Sequence, residues 1–259
     1  MSNPLEIIIG FIFGLFIGSF LNVCIYRIPA NRSIVTPASS CPGCGTPIRF
    51  YDNIPVLSYV LLMGRCRQCA AKISLRYPLV EILTGILAAA CVLKFGLSIV
   101  AGIYFAFAAT LLVITFIDID HRIIPDVISL PGIPLFFAAT FFLPGIGPVA
   151  SITGILVGGG SLFLVAWLYY MLTGKEGMGG GDIKLLAMIG AIVGWQGVIL
   201  TVFVASITGT VIGASLMLLS GKNLKLAIPF GPFLSLGAVV SVFYGPELIK
   251  WYIHGIPPF

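Results

Sequence analysis

Eight long apolar segments, broken by short polar turns and one extended polar stretch, leave this chain few ways to fold. They run over residues 5–28, 79–95, 97–117, 127–143, 149–172, 183–195, 198–219 and 227–253. A helix needs about 20 apolar residues to cross a 30 Å hydrocarbon core, and most of these segments approach that length. Apolar residues make up 59% of the chain and charged residues 9%, about a third of the usual charged share. The pattern predicts an all-α polytopic membrane protein with eight transmembrane helices. No cleavable signal peptide is expected, because residues 1–6 lack a basic region and 5–28 is long enough to span.

Charge gives the expected orientation. If residues 29–78 are cytoplasmic, alternation places twelve of the fourteen Lys and Arg residues on that side, leaving Lys94 and Lys250 outside. Such a bias is the positive-inside signature. It puts both termini on the extracytoplasmic face. Glycines at four-residue spacing predict close helix packing: Gly10, Gly14 and Gly18, then Gly154/Gly158, Gly190/Gly194 and Gly209/Gly213. Asn22 is expected to bond across to a neighbouring helix. Segment 183–195 is short, about 13 residues against the usual 20, which suits a helix ending at a water-accessible site.

The polar stretch 29–78 is too small for a core of its own, so something must staple it. It holds Cys41-Pro-Gly-Cys44 and Cys66-Arg-Gln-Cys69. Two knuckles, each offering two thiolates from a tight turn, are the pattern of a small cytoplasmic zinc-ribbon-like loop domain. The alternative is a pair of disulfides, which a reducing cytoplasm disfavours. Cys24 and Cys91 read as small core residues.

Two acidic clusters lie at segment ends. Phe116-Ile-Asp118-Ile-Asp120-His-Arg-Ile-Ile-Pro-Asp126 closes one apolar segment, and Gly177-Met-Gly-Gly-Gly-Asp182-Ile-Lys184 opens another. An acid at the membrane is costly to desolvate, so it is a functional candidate. Two facing carboxylates retain one proton between them, and such a pair can activate water and polarise a carbonyl. From spacing alone, ion pairs of Asp118 and Asp182 with Arg122 or Lys184 weigh equally. Asp126 after Pro125 reads as a helix cap. His121 reads as a solvated side chain, and Glu81 either answers a helix dipole or serves substrate binding.

Taken together, the motifs resemble one family. They are Gly18-Ser-Phe-Leu-Asn-Val-Cys-Ile-Tyr-Arg27, the two Cys pairs, Asn53-Ile-Pro-Val-Leu-Ser-Tyr59, Arg76-Tyr-Pro-Leu-Val-Glu81, Asp118 to Asp126, Gly179 to Leu185, and Pro229-Phe-Gly-Pro-Phe-Leu-Ser-Leu-Gly237. The chain is similar to the bacterial type IV prepilin peptidases, leader peptidase/N-methyltransferases of the GxGD aspartyl protease class. The resemblance implies a bacterial inner-membrane enzyme with its active site on the cytoplasmic side. It would remove the leader of type IV prepilins or pseudopilins, then methylate the new amine from S-adenosylmethionine. Asp118 and Asp182 would be the catalytic pair, with Asp120 the competitor for the first position. Cys41, Cys44, Cys66 and Cys69 would hold structural zinc. Gly64, Arg65 and Glu81 would belong to the methyl-donor region, although no glycine-rich nucleotide loop is present to give that site an address.

The expected organisation is a first helix over 1–28, the four-cysteine loop over 29–78, and a seven-helix bundle over 79–259. Asp52, Glu81, Asp120 and Asp126 are expected to attract the basic leader. Membrane lipid is the expected surrounding, and nothing calls for nucleic acid. A cation transporter would need internal repeats and mid-membrane acids, neither of which the sequence offers.

Overall fold

The computed structural model describes residues 3–175, 177, 179–220 and 228–255. Met178, Lys222, Lys225 and Ala227, which entered the glycine, charge and segment expectations, lie outside the described residues. What is described is helical: α1 Pro4–Arg27, α2 Leu57–Leu61, α3 Arg76–Phe95, α4 Ile99–His121, α5 Asp126–Ala139, α6 Pro148–Thr173, α7 Gly180–Ser220 and α8 Gly231–His254. The chain forms two compact units, Met1–Val113 and Ile114–Phe259, and α4 contributes to both.

Six of these helices are long and apolar enough to cross a membrane. Two features separate that number from the eight segments of the sequence. Segment 127–143 forms a short helix, α5, with Pro131 and Pro134 inside it. Segments 183–195 and 198–219 are joined in α7, whose 41 residues carry non-helical dihedrals at Gly194 (φ 68°, ψ 177°). At 1.5 Å per residue an unbroken helix of that length would far exceed the hydrocarbon core. Gly194 therefore divides it, close to the polar gap visible in the sequence.

In the first unit, α1 starts at a cap where Asn3 accepts the Leu5 N–H at 3.1 Å, followed by Pro4. Its glycine stripe then lies against α3. A Cβ on Gly14 would come within 2.7 Å of Gly85 Cα and Thr84 O, and one on Gly18 within 2.6 Å of Glu81 Cα. The two backbones approach that closely because the side chains are absent. Asn22 bridges the same pair of helices, donating to Tyr77 O at 3.1 Å and Gly18 O at 3.3 Å.

In the second unit, α6 and α7 cross where Gly154 meets Gly190, each occupying the space a Cβ on the other would need. Buried Ser151 adds a hydrogen bond to Ala191 O at 2.7 Å. Replacing Gly190 with Leu is therefore expected to drive the backbones apart and destabilise the unit by more than about 3 kcal/mol, well above the usual cost of overpacking. Thermal unfolding in detergent checks this. A variant melting within a degree of the parent would contradict the crossing. Gly209 and Gly213 differ from this expectation: a Cβ at either meets neighbours only at 3.5 Å, which is ordinary contact. Gly194 also departs from it, since its glycine serves a positive φ.

A candidate aspartate pair and a four-cysteine centre

Asp118 sits on the last turn of α4 and is 5% exposed. Two residues further on, Asp120 is exposed. On a helix that offset turns the side chain by about 200°, so only one of the two can face inward. Asp182 lies half-buried in the first turn of α7, directly after the glycine run.

Asp118 and Asp182 line the same cavity, of about 720 Å³, together with Arg122, Ile124, Asp126, Gly179–Gly181, Lys184 and Ile228–Phe230. Asp120 does not. The cavity is formed where the α4–α5 connection meets the starts of α7 and α8. Ile124 keys these pieces together, because a Cβ on Gly181 would come within 2.9 Å of its Cβ, and one on Gly231 within 3.4 Å of its Cδ1.

One of the two simpler partners considered from spacing is taken, while Arg122 lines the same cavity. Lys184 pairs with Asp126 through two contacts of 2.7 and 2.8 Å. Asp126 begins α5, but no side-chain cap is made there, so its carboxylate serves this bridge instead of the helix end. Asp118 Oδ2 accepts the N–H of Gly231 at 3.0 Å. Gly231 is a site residue that carried no role in the sequence reading. Its signal was Pro229-Phe-Gly-Pro232 immediately before an apolar run, where a helix must begin.

The four cysteines converge. All four sulfur atoms lie within 4.8 Å of one another, and Cys41 Sγ is 3.8 Å from Cys69 Sγ. A tetrahedron with zinc–sulfur bonds of about 2.3 Å has sulfur–sulfur edges of about 3.8 Å, so this donor set fits the metal. All are free thiols, as are buried Cys24 and Cys91. The two knuckles repeat one design. Cys41 N–H bonds Thr46 O and Gly45 N–H bonds Cys41 O; Cys66 N–H bonds Ala71 O and Ala70 N–H bonds Cys66 O. One antiparallel bridge closes each, Ser40 with Pro47 and Arg65 with Lys72. Hydrogen bonds from the side chain and backbone of Thr46 pull the Cys44 thiol down to about 6, while the neighbouring thiols push Cys69 up to about 11, so these thiols do not ionise independently.

At the matching turn position the first knuckle has Gly45 (φ 69°) and the second has Ala70 (φ 56°). The left-handed region costs an L-residue about 1 kcal/mol. Ala70→Gly is thus expected to stabilise the loop by up to that amount, read as slower proteolysis of residues 29–78. Faster proteolysis would contradict it.

The remaining predicted residues are more dispersed. Gly64 (φ 67°) is used by its turn, where a Cβ would meet Tyr59 Oη at 2.7 Å and its carbonyl accepts Ile73 N–H. Arg65 is tied into the bridge with Lys72. Glu81 is 7% exposed and accepts the Val56 N–H at 2.7 Å. Its backbone lies against Gly18, the residue before Ser19. Val56 holds φ 60°, ψ −48° at the centre of a γ-turn closed by Leu57 N–H to Pro55 O, a strained setting for a β-branched residue. Ser19 and Asn53 line a separate groove of about 310 Å³ beside Phe16, Phe20 and Arg27. None of Gly64, Arg65 and Glu81 lines either cavity.

Three of the acids expected to attract a basic leader are engaged or buried within the chain. Asp52 is gripped by Arg67 at 2.6–3.0 Å, which holds its carboxyl below the usual range. Asp126 is bridged to Lys184, and Glu81 is buried.

Comparison with known proteins follows the same division. Residues 12–95 match the bacterial peptidase A24 N-terminal domain, and residues 105–214 match the type IV leader peptidase family. A protein of Pseudomonas putida named prepilin leader peptidase/N-methyltransferase is 37% identical, over 96% of this chain and 94% of its own. The like-named protein of Pseudomonas aeruginosa is 37% identical over 98% and 96%, and that of Dichelobacter nodosus 36% over 96% and 95%. No solved structure matches the chain. Matches of this extent and identity mean that the chain belongs to the type IV leader peptidase family.

Proposed function

We propose that this protein is a prepilin leader peptidase and N-methyltransferase of the bacterial inner membrane, hydrolysing its substrate with Asp118 and Asp182. The observation that carries the reading is the cavity lined by both carboxylates, inside a chain whose relatives bear that name over nearly their whole length. The substrate is a type IV prepilin or pseudopilin, whose apolar helix lies in the lipid beside the bundle.

In this reaction one carboxylate of the pair is ionised and takes a proton from water as the water oxygen attacks the scissile carbonyl carbon. The other gives its proton to the carbonyl oxygen. The resulting gem-diol collapses, the carbon–nitrogen bond breaks, and the departing amine takes up a proton. Oriented acid–base groups supply rate factors of about 10² to 10⁴ each. The new amine is then methylated, with S-adenosylmethionine as donor.

Eight crossings are the arrangement we favour: α1, α3, α4, α5, α6, the two parts of α7 on either side of Gly194, and α8. It places the 29–78 loop and both carboxylates on the cytoplasmic side, with both termini outside. Within it, residues 1–28 form the first helix, 29–78 a zinc-stapled loop, and 79–259 the bundle with the aspartates. For the methyl donor, Glu81 and the groove lined by Ser19 and Asn53 have better support than Gly64 and Arg65. Glu81 lies against Gly18, next in sequence to the Ser19 that lines that groove, whereas Gly64 and Arg65 are spent on the turn.

The test is incubation of purified protein in lipid with a synthetic prepilin and methyl-labelled S-adenosylmethionine. Release of the leader followed by label on the new N-terminus is expected. An intact substrate with well-folded enzyme would overturn the assignment.

A further inference from the structure

We propose that Gly231 is a positioning residue for hydrolysis: its N–H, and the absence of a side chain, fix the Asp118 carboxylate in the cavity it shares with Asp182. The inference rests on the reading of Asp118 as catalytic.

The amides of residues 231–234, which open α8, support it. A helix start leaves its first amides without intrahelical partners. Here Phe233 and Leu234 both donate to Phe230 O at 3.1 Å. Pro232 has no N–H to give. Gly231 N–H is therefore the one first-turn donor left for a side chain, and it goes to Asp118 Oδ2 in a buried contact. The positive end of the helix adds to that attraction for an anion. An N–H favours the ionised form of the carboxylate that accepts it, so this contact draws negative charge to Oδ2. The first turn thus fixes both the place and the hydrogen-bonding role of this oxygen.

Glycine is required here for space. Gly231 opens the helix without the positive φ that marks glycines such as Gly194 and Gly174. What a side chain would meet instead is the carboxylate: a Cβ would lie 2.6 Å from Asp118 Oδ2 and 3.3 Å from its Cγ. The obstructing atom is the far end of a side chain, so an alanine can be accommodated by turning Asp118 aside. The fold survives and the carboxylate moves. A helix-opening glycine with only a structural purpose would not produce that separation.

The experiment compares Gly231→Ala, Asp118→Asn and Gly209→Ala with the parent, all reconstituted in lipid nanodiscs. Gly209 is a glycine of α7 where a Cβ makes only ordinary contact with Phe233, so Gly209→Ala controls for a generic glycine substitution. Each variant is given synthetic prepilin for cleavage and a pre-cleaved peptide for methylation. For Gly231→Ala, kcat for cleavage is expected to fall about a hundredfold, the size of effect that a misplacement near 1 Å produces. KM and the rate of methyl transfer to the pre-cleaved peptide should stay within about threefold. Unchanged kcat in Gly231→Ala, with Asp118→Asn inactive, would overturn the positioning role alone. A parallel fall in cleavage and methylation would assign Gly231 to folding and overturn it equally. Full cleavage by Asp118→Asn would remove the catalytic reading on which the inference depends.

Discussion

Replacing either Asp118 or Asp182 with Asn is expected to slow prepilin cleavage at least about a thousandfold, while methyl transfer to a pre-cleaved peptide continues. The size follows from the chemistry. Asn neither accepts a proton from the attacking water nor delivers one to the carbonyl oxygen, so one acid–base function disappears outright. The substitution is also nearly isosteric, so the cavity keeps its shape. In Asp118→Asn the new side-chain amide can still present its oxygen to Gly231 N–H, and α8 keeps its first-turn partner. Retained methylation separates loss of chemistry from loss of fold. Gel analysis of leader release, alongside label incorporation, reads both in one reaction.

The second large effect concerns the four-cysteine loop. Stripping the metal with a strong chelator, or replacing Cys69 with Ser, is expected to unfold residues 29–78 without dissolving the α1–α3 pair. Structural zinc contributes on the order of 10 kcal/mol to small domains of this kind. Apart from its turn hydrogen bonds and polar ties to Arg27 and Glu81, the loop is held by two single bridges, the Arg67–Asp52 pair, and a short α2 whose Leu57, Val60 and Leu61 are exposed, so it has no apolar core of its own. By contrast, α1 and α3 meet through Gly10, Gly14 and Gly18 and the Asn22 bridge, none of which touches the cysteine cluster. Trypsin should then cut rapidly after Arg49, Arg65, Arg67 or Lys72 and leave the helices intact. Equal resistance with and without metal would show that zinc does not staple the loop.

Much of this was legible in the sequence because its signals were local. Segment lengths gave the helices, and the first glycine stripe gave the α1–α3 contact, because packing that close needs no more than small residues at one face. The paired Cys-x-x-Cys turns gave the four-thiol cluster for the same reason. What the sequence left open depends on distant residues meeting. Spacing could not choose between Asp118 and Asp120, since only the burial of one helix face separates them. It could not show that Lys184 answers Asp126, which frees Asp182 of that partner. Gly231 was visible only as one residue of the Pro229–Gly237 motif inside segment 227–253, because its meaning lies in a carboxylate more than a hundred residues away. Gly194 looked like half of a packing pair, whereas its backbone breaks α7.

The central claim is that Asp118, paired with Asp182, performs the hydrolysis. It is tested most directly by initial cleavage rates of Asp118→Asn and Asp120→Asn measured side by side in the same lipid. The account predicts an inactive Asp118→Asn and an Asp120→Asn within a few-fold of the parent. The reverse result would contradict it and move the catalytic pair to the exposed side of α4.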